Sequence, residues 1–330
     1  MSAAGPSRVF RLFAALLAGN FVYAASVSVA QGPYPSKPIR MIVPFPPGAG
    51  TDNVARFIAQ KMSEGLKQSV VVENRTGASG AIGATEAAKA DPDGYTLLFV
   101  AGPFTTVAAS KKNPGYDPLR QFVPVAPIAT GPLAFVVNVD VPANSLREFL
   151  ALALREPGKF NYGSAGTGSI NHLALELLKA RTGVDIVHVP YRGIADATKD
   201  LLSGQIQAIT ASIPATLPLL AERRVKVLAV TGAKRTPQLP AVPSWQEEGV
   251  ADANVINYWG IVAPAGTPPE IVEKVNALVQ RLLADPDVRE RLEREGAELS
   301  AGPPERLRAI IATDLYAWKK LVAEIGMALE

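Results

Sequence analysis

Twice in this chain a short apolar run breaks into a glycine-rich turn and resumes as a helix-period pattern. The first turn is Pro44-Phe45-Pro46-Pro47-Gly48-Ala49-Gly50-Thr51-Asp52, after the apolar residues 39–43. The second is Asn161-Tyr162-Gly163-Ser164-Ala165-Gly166-Thr167-Gly168-Ser169. A strand that turns on glycine straight into a helix is the start of a βα unit, so the chain is confined to α/β folds from the outset. The same turn exposes unpaired backbone N–H groups and the positive end of the helix dipole, which favours anions.

Around the first turn the order is βαβαβ. Residues 39–45 read as a buried strand, and Val54, Phe57, Ile58 and Met62 give the next helix one apolar face. Strands follow at 69–73 and 95–100, with an Ala-rich helix at 82–89 between them. This implies a parallel sheet that binds ligands at the C-terminal ends of its strands. Around the second turn the pattern repeats, with strands at 133–138, 159–162, 185–189, 206–210 and 224–230 and helices between. Residues 257–262 read as one more strand, and the tail from Thr267 as three helices, the first opened by a Thr267-Pro268-Pro269-Glu270 capping box. The expected architecture is two doubly wound α/β domains joined by two crossing strands, as in a two-domain binding protein that hinges on its connections. The domains are drawn as 31–127 with 255–330, and 128–254.

Residues 1–30 read as an export leader. Arg8 and Arg11 precede an apolar stretch, and Ser28-Val29-Ala30 fits a small-x-small cleavage site before Gln31. A membrane anchor is the plain alternative, disfavoured by the absence of a basic flank after the apolar run. Those arginines are two of the 33 basic residues, so the rest of the chain carries 31 against 30 acidic side chains. Such a balance offers nothing to nucleic acid. With no cysteine, disulfides, thiolate chemistry and an N-terminal lipid anchor are excluded.

Nucleotide motifs fail at both turns. Gly48-Ala49-Gly50 lacks the third glycine of a dinucleotide loop, although Glu73 closes the next strand where a ribose-binding acid would stand. Neither turn continues as Gly-Lys-Ser/Thr. Tyr162 occupies the place a nucleophile elbow reserves for glycine, which speaks against Ser164 as a nucleophile. His172 and His188, the two histidines, read as buried structural residues, and two His without Cys do not make a transition-metal site. Asp52 serves either to shape the first loop or to cap free N–H groups of its helix, and Phe45 is either core or pocket wall. Ser164 and Thr167 suit hydrogen-bond donation to a carboxylate, with Arg75 and Arg192 read as struts or surface residues.

Several further motifs occur in order: Tyr34-Pro35-Ser36-Lys37-Pro38-Ile39-Arg40, Glu73-Asn74-Arg75-Thr76-Gly77-Ala78, Asp93-Gly94-Tyr95-Thr96-Leu97-Leu98, Val189-Pro190-Tyr191-Arg192-Gly193 and Ala263-Pro264-Ala265-Gly266-Thr267-Pro268. With the two glycine-rich turns, they make the chain resemble the Bug-type extracytoplasmic receptors of tripartite tricarboxylate transporters. The resemblance implies a soluble, monomeric periplasmic protein, neither enzyme nor lipoprotein, without cofactor or metal. It would close over a small organic acid and deliver it to the transporter's membrane subunits. Carried over by position, it implicates Phe45, Pro47, Gly48, Ala49, Gly50, Thr51 and Asp52, then Ser79 and Gly80, then Ser164, Ala165, Gly166 and Thr167, and Tyr191. Two departures bear on the ligand. Ala49 stands where the family's second loop glycine is usual, and Ala211-Ser212-Ile213 lacks an acid that many members carry, which leans toward a plain or aromatic carboxylate. The rival readings are a sensor presenting its closed form to a signalling partner and an exported hydrolase using Ser164.

Overall fold

β1 (Ile39–Val43) is buried at four of its five positions because it lies at the centre of a parallel trio. On one side it pairs with β2 (Val70–Asn74) and on the other with β3 (Thr96–Ala101). Two helices make the crossovers. α1 (Gly50–Leu66) buries Val54, Ile58 and Met62 at helical spacing and ends where Lys67 turns left-handed, φ +54°. The short α2 (Ala81–Ala88) buries only small residues, so it packs close. α3 (Pro103–Ser110) then opens with proline in its first turn, a helix the sequence pattern does not announce. These are findings of a computed structural model that describes Met1, residues 34–294 and residues 296–327. The expected leader and its cleavage site lie outside the described residues, Met1 apart.

β4 (Phe122–Asn138) is the longest strand, 17 residues. Sequence reasoning saw its second half only, since Pro124, Pro127, Gly131 and Pro132 interrupt the first. The register against its neighbour slips between Pro124 and Ala126 and again between Pro127 and Ala129, so irregularities absorb two of the prolines. α4 (Leu146–Arg155) starts at Ser145, whose side chain accepts from Glu148 N–H. The second parallel trio follows: β5 (Asn161–Ser164), α5 (Ile170–Thr182), β6 (Val187–Pro190), α6 (Ile194–Leu202) and β7 (Ala208–Ser212), with β5 between β6 and β7. α7 (Ile213–Ala221) carries Pro218 inside it, which hid it from sequence reading. β8 (Val225–Val230) and β9 (Ile256–Pro264) lead to α8 (Pro269–Ala284), α9 (Pro286–Arg294), β10 (Glu298–Leu299) and α10 (Pro304–Glu324). The expected capping box on α8 does not form. Pro268 is the cap residue, and Thr267 Oγ1 donates instead to the Pro264 carbonyl at 2.8 Å.

The strand order is β2-β1-β3-β9-β4-β7-β5-β6, with β8 and β10 also on β4. The two parallel trios are thus linked by antiparallel strands. β4 belongs to both halves, pairing with β9 through residues 122–132 and with β7 through 133–137. The chain entering β9 is tied back to β8, since Thr231 Oγ1 donates to the Val255 carbonyl at 2.6 Å. α10 joins the halves on the outside. Leu307 and Ile311 sit in the core of Ile42, Leu98 and Tyr258, whereas Leu315, Trp318 and Leu321 sit with Phe135, Tyr162 and Leu173. No helix among the described residues is long and apolar enough to cross a membrane.

Candidate functional site

Both glycine-rich turns emerge at C-terminal ends of parallel strands, as the fold requires, and each is braced from within. In the first, Asp52 is 1% exposed, and its carboxylate turns back on the loop instead of capping its own first turn. Oδ2 accepts from Gly48 N–H at 2.9 Å and Arg56 Nε at 2.8 Å, and Oδ1 from Asn74 Nδ2 at 2.7 Å. Asn74 also donates to the Phe45 carbonyl at 2.9 Å and accepts from Arg56 at 2.6 Å. Burial alone would raise the Asp52 pKa, but the bonds from Arg56, Asn74 and Gly48 outweigh it and hold the group below its ordinary value. Ala49 N–H is taken by the Pro46 carbonyl. Prolines 46 and 47 have no N–H, so the groups left over are those of Phe45, Gly50, Thr51 and Asp52, for which no acceptor occurs among the described residues.

The second turn is braced by histidines. Ser164 is fully buried, its Oγ 2.6 Å from His188 Nε2 and accepting from Gly166 N–H at 3.1 Å. Gly168 N–H donates to His172 Nδ1 at 3.1 Å, and Ser169 N–H to the Gly166 carbonyl. The two imidazoles stack with centroids 3.9 Å apart, and Tyr162 lies 5.0 Å from His188 on the same stack. Burial first, and then the neighbouring His172, depress the His188 pKa to about 4. Alternate amides of the turn are therefore consumed internally. Those of Ala165 and Thr167, both half-buried, have no acceptor among the described residues.

A third turn lies between β2 and α2. Gly77, Ala78, Ser79 and Gly80 have φ of +121°, +47°, +54° and +98° in succession. Two consecutive non-glycine residues in the left-handed region cost about 1 kcal/mol or more each, and such strain clusters at binding loops. The turn closes on itself, with Gly80 N–H donating to the Gly77 carbonyl at 2.9 Å and Ala81 N–H to the Ala78 carbonyl.

The three turns converge. A Cβ built on Gly80 would lie 3.4 Å from Pro44 of the first loop. One on Gly166 would lie 3.9 Å from Ser79 Oγ and 3.4 Å from the Tyr191 carbonyl. Across the other side, a Cβ on Gly50 would lie 3.9 Å from Ser212 Oγ, at the start of α7. Thr51 Oγ1 accepts from Trp259 Nε1 at 3.2 Å. Phe45 is half-buried, while Pro47 and Gly48 are exposed. Sequence reasoning missed Asn74, Ser212, Trp259 and the brace formed by His172 and His188. Asn74 stood in a quoted motif, but nothing in the sequence tied it to Asp52. Tyr191 donates through its hydroxyl to Asp200 at 2.7 Å, and burial, then Asp200, push its pKa up to about 12. Arg75 is a strut, in ion pairs with Glu73 and Glu86 at 3.2 Å each. Glu73 also pairs with Arg40 at 2.8 Å, which occupies the carboxylate a ribose would need. Among the described residues, no three metal-ligating side chains cluster.

Comparison with known proteins decides the family. The profile described as tripartite tricarboxylate transporter family receptor matches residues 54–327. This chain belongs to that receptor family. Its members are periplasmic solute-binding receptors and not enzymes, so the Ser164–His188 contact is a structural brace and the hydrolase reading falls away. Three solved structures are similar over nearly the whole length. Rpa4515 of R. palustris, with adipate, is 36% identical at a TM-score of 0.84, covering 90% of this chain and 100% of that one. The periplasmic binding protein BugD is 36% identical at 0.82, with the same coverage of 90% and 100%. MatC of Rhodopseudomonas palustris, with bound malate, is 32% identical at 0.80, covering 88% of this chain and 100% of its own. The expected two-domain periplasmic binding fold, α/β with crossing strands, is thus the fold found.

Proposed function

We propose that this receptor captures a small carboxylate between its two halves in the periplasm and passes it to the membrane subunits of a tripartite tricarboxylate-type transporter. One observation carries the reading: the uncommitted amides of Gly50 and Thr51 lie in the first turn and those of Ala165 and Thr167 in the second, and the third turn approaches both, at Pro44 and at Gly166. A carboxylate at a partly buried helix N-terminus gains up to about 2 kcal/mol, and hydrogen bonds to a charged group about 1.5–3 kcal/mol each. Two such ends and a few donors suffice for micromolar binding, roughly −8 kcal/mol, once association costs are met. Adipate in Rpa4515 and malate in MatC are acids of this class.

The ligand class is narrowed by the acids at the site. Asp52 has both oxygens occupied, and Ala211-Ser212-Ile213, where the family resemblance implies an acid in many members, offers none, so an ammonium group would lack a counter-charge. A plain aliphatic or aromatic acid fits better than an amino acid. The working unit is a monomer that hinges between domain I, 31–127 with 255–330, and domain II, 128–254, with α10 yielding as they close. Thermal shift across mono-, di- and tricarboxylates, aromatic acids, amines and neutral sugars tests the class. An acid at 100 times its Kd adds about 2.7 kcal/mol of stability. Stabilisation by amines or sugars with none by any acid would overturn the reading.

A further inference from the structure

The second anion-binding turn rests on an imidazole whose protonation state is dictated by its partner. Gly168 N–H donates to His172 Nδ1 at 3.1 Å. A backbone amide only donates, so Nδ1 holds a lone pair and the ring proton is on Nε2. Gly168 is closely packed: its φ is +78°, and a Cβ there would lie 2.2 Å from Ser110 Oγ on α3. The next amide back, Thr167, and Ala165 before it are the two that the turn leaves uncommitted.

We propose that His172 is a positioning residue for ligand capture: its neutral ring holds the Gly168 amide and so shapes the turn, and capture is lost as the medium acidifies. This rests on the carboxylate-receptor reading. Protonation at Nδ1 would set a ring N–H against the Gly168 N–H. It would also place a charge on a side chain that is 5% exposed and stacked at 3.9 Å on a second imidazole. Polar and titratable groups of three elements face the pair. From β5 come Ser164 and Tyr162, from β6 His188, and from α5 Glu176, which accepts from the Tyr162 hydroxyl at 2.5 Å and is paired with Lys179 at 3.0 Å. At His188, burial opposes the charged ring most, His172 and Lys179 oppose it as well, and Glu176 favours it.

A bare imidazolium would attract an anion. Here the charge and the assembled turn exclude each other, because the ring must give up Gly168 and leave the stack before it is solvated. In the open turn an imidazole titrates near its ordinary value of about 6.5, whereas in the assembled turn the His172 Nδ1 lone pair is held by Gly168 N–H, which opposes protonation there. The assembled form binds fewer protons, so its advantage is complete above the ordinary value. It declines as pH falls below that value, by up to about tenfold per pH unit.

The test is calorimetric titration of the full chain with adipate and with malate between pH 7.5 and 5, for the wild type, His172→Asn and His172→Leu. Asparagine places an amide oxygen near the Nδ1 position and does not titrate. The ligands' own ionisation is common to all three proteins and cancels in ratios. At pH 7.5, His172→Asn should bind within about threefold of wild type and His172→Leu about tenfold more weakly. From pH 7 to 5 the wild type should lose up to about tenfold relative to His172→Asn. Hydrogen exchange at Gly168 should be slow in wild type and His172→Asn and fast in His172→Leu, and if the leucine variant does not fold the asparagine ratio decides alone. A wild-type-to-asparagine ratio that stays flat or rises toward acid overturns the proposal and leaves the receptor reading intact. If neither these two nor any other acid of the thermal-shift series binds across the range, both readings fall.

Discussion

Asn74 Nδ2 donates to Asp52 Oδ1 at 2.7 Å, joining the end of β2 to the first turn of α1. With the Phe45 carbonyl and Gly48 N–H on the same two side chains, this pair fixes the path of the first loop. Asp52→Ala would take away the acceptor shared by the exposed Gly48 N–H and the half-buried Asn74 amide. It should cost about 2–4 kcal/mol, with Arg56 adding little because it is half exposed to water. Asn74→Ala should cost less, about 1–2 kcal/mol. Thermal unfolding and adipate titration of both variants check this, and an Asp52→Ala protein with wild-type Tm and affinity would contradict it.

Gly166 faces Ser79 across the meeting point of the turns, at φ +103°. An alanine there meets strain of about 1–3 kcal/mol and pushes a methyl group toward Ser79 Oγ and the Tyr191 carbonyl. Gly183 is the control, since it has φ +73° at the end of α5 and nothing within 4 Å of its built Cβ. Both Gly166→Ala and Gly183→Ala should lower Tm by a few degrees, but only the first should weaken carboxylate binding, about tenfold or more. Equal affinities would show that the space beside Gly166 is not used.

Asp314 gives a pH signature with the opposite sign to most carboxylates. Burial raises its pKa from 3.8 to about 6. Its neighbour Thr105 has one hydroxyl proton and two acceptors, the Gly102 carbonyl at 2.9 Å and Asp314 itself, while Tyr258 donates to the same oxygen. A protonated Asp314 resolves the conflict by donating to Thr105. The folded protein thus binds this proton more tightly than the unfolded chain, so its contribution is complete below pH 3.8 and is lost as pH rises through about 6. Asp314→Asn should be more stable than wild type by on the order of 2 kcal/mol at pH 7.5 and equal to it at pH 4. Paired melting curves at the two pH values read this directly, and a larger gap at pH 4 would reverse the assignment.

The parts of this fold legible in the sequence were those written in local chemistry. The turns around Gly48 and Gly166 could be read because glycine and proline spell them out, and α1 because Val54, Ile58 and Met62 recur at helical spacing. Where proline serves an uncommon role, reading failed. Pro218 sits inside α7, and Pro124 and Pro127 sit at irregularities of β4, places that local rules score as breaks. The amides of the second turn could not be sorted by sequence into free and engaged. Which of them are engaged depends on His188 and His172 arriving from β6 and α5. Pairs such as Gly50 with Ser212, or Ser79 with Gly166, come from distant parts of the chain and exist only once both halves are folded.

Trp259 offers an optical test of which element senses the ligand. Its Nε1 donates to Thr51 Oγ1 at 3.2 Å, beside the first-turn amides, and the ring borders Gly131 of β4. Of the other two tryptophans, Trp245 is fully buried and Trp318 is 4% exposed on the second half of α10. A carboxylate drawn to the Thr51 amide alters the field and hydration around Trp259 first. Intrinsic emission should therefore change on saturation with a binding acid. Trp259→Phe should abolish that change and keep affinity within about tenfold, the value of a single hydrogen bond. If the change persists in Trp259→Phe and vanishes in Trp318→Phe, the signal belongs to α10. The ligand would then be read through the helix joining the two cores and not through the loop.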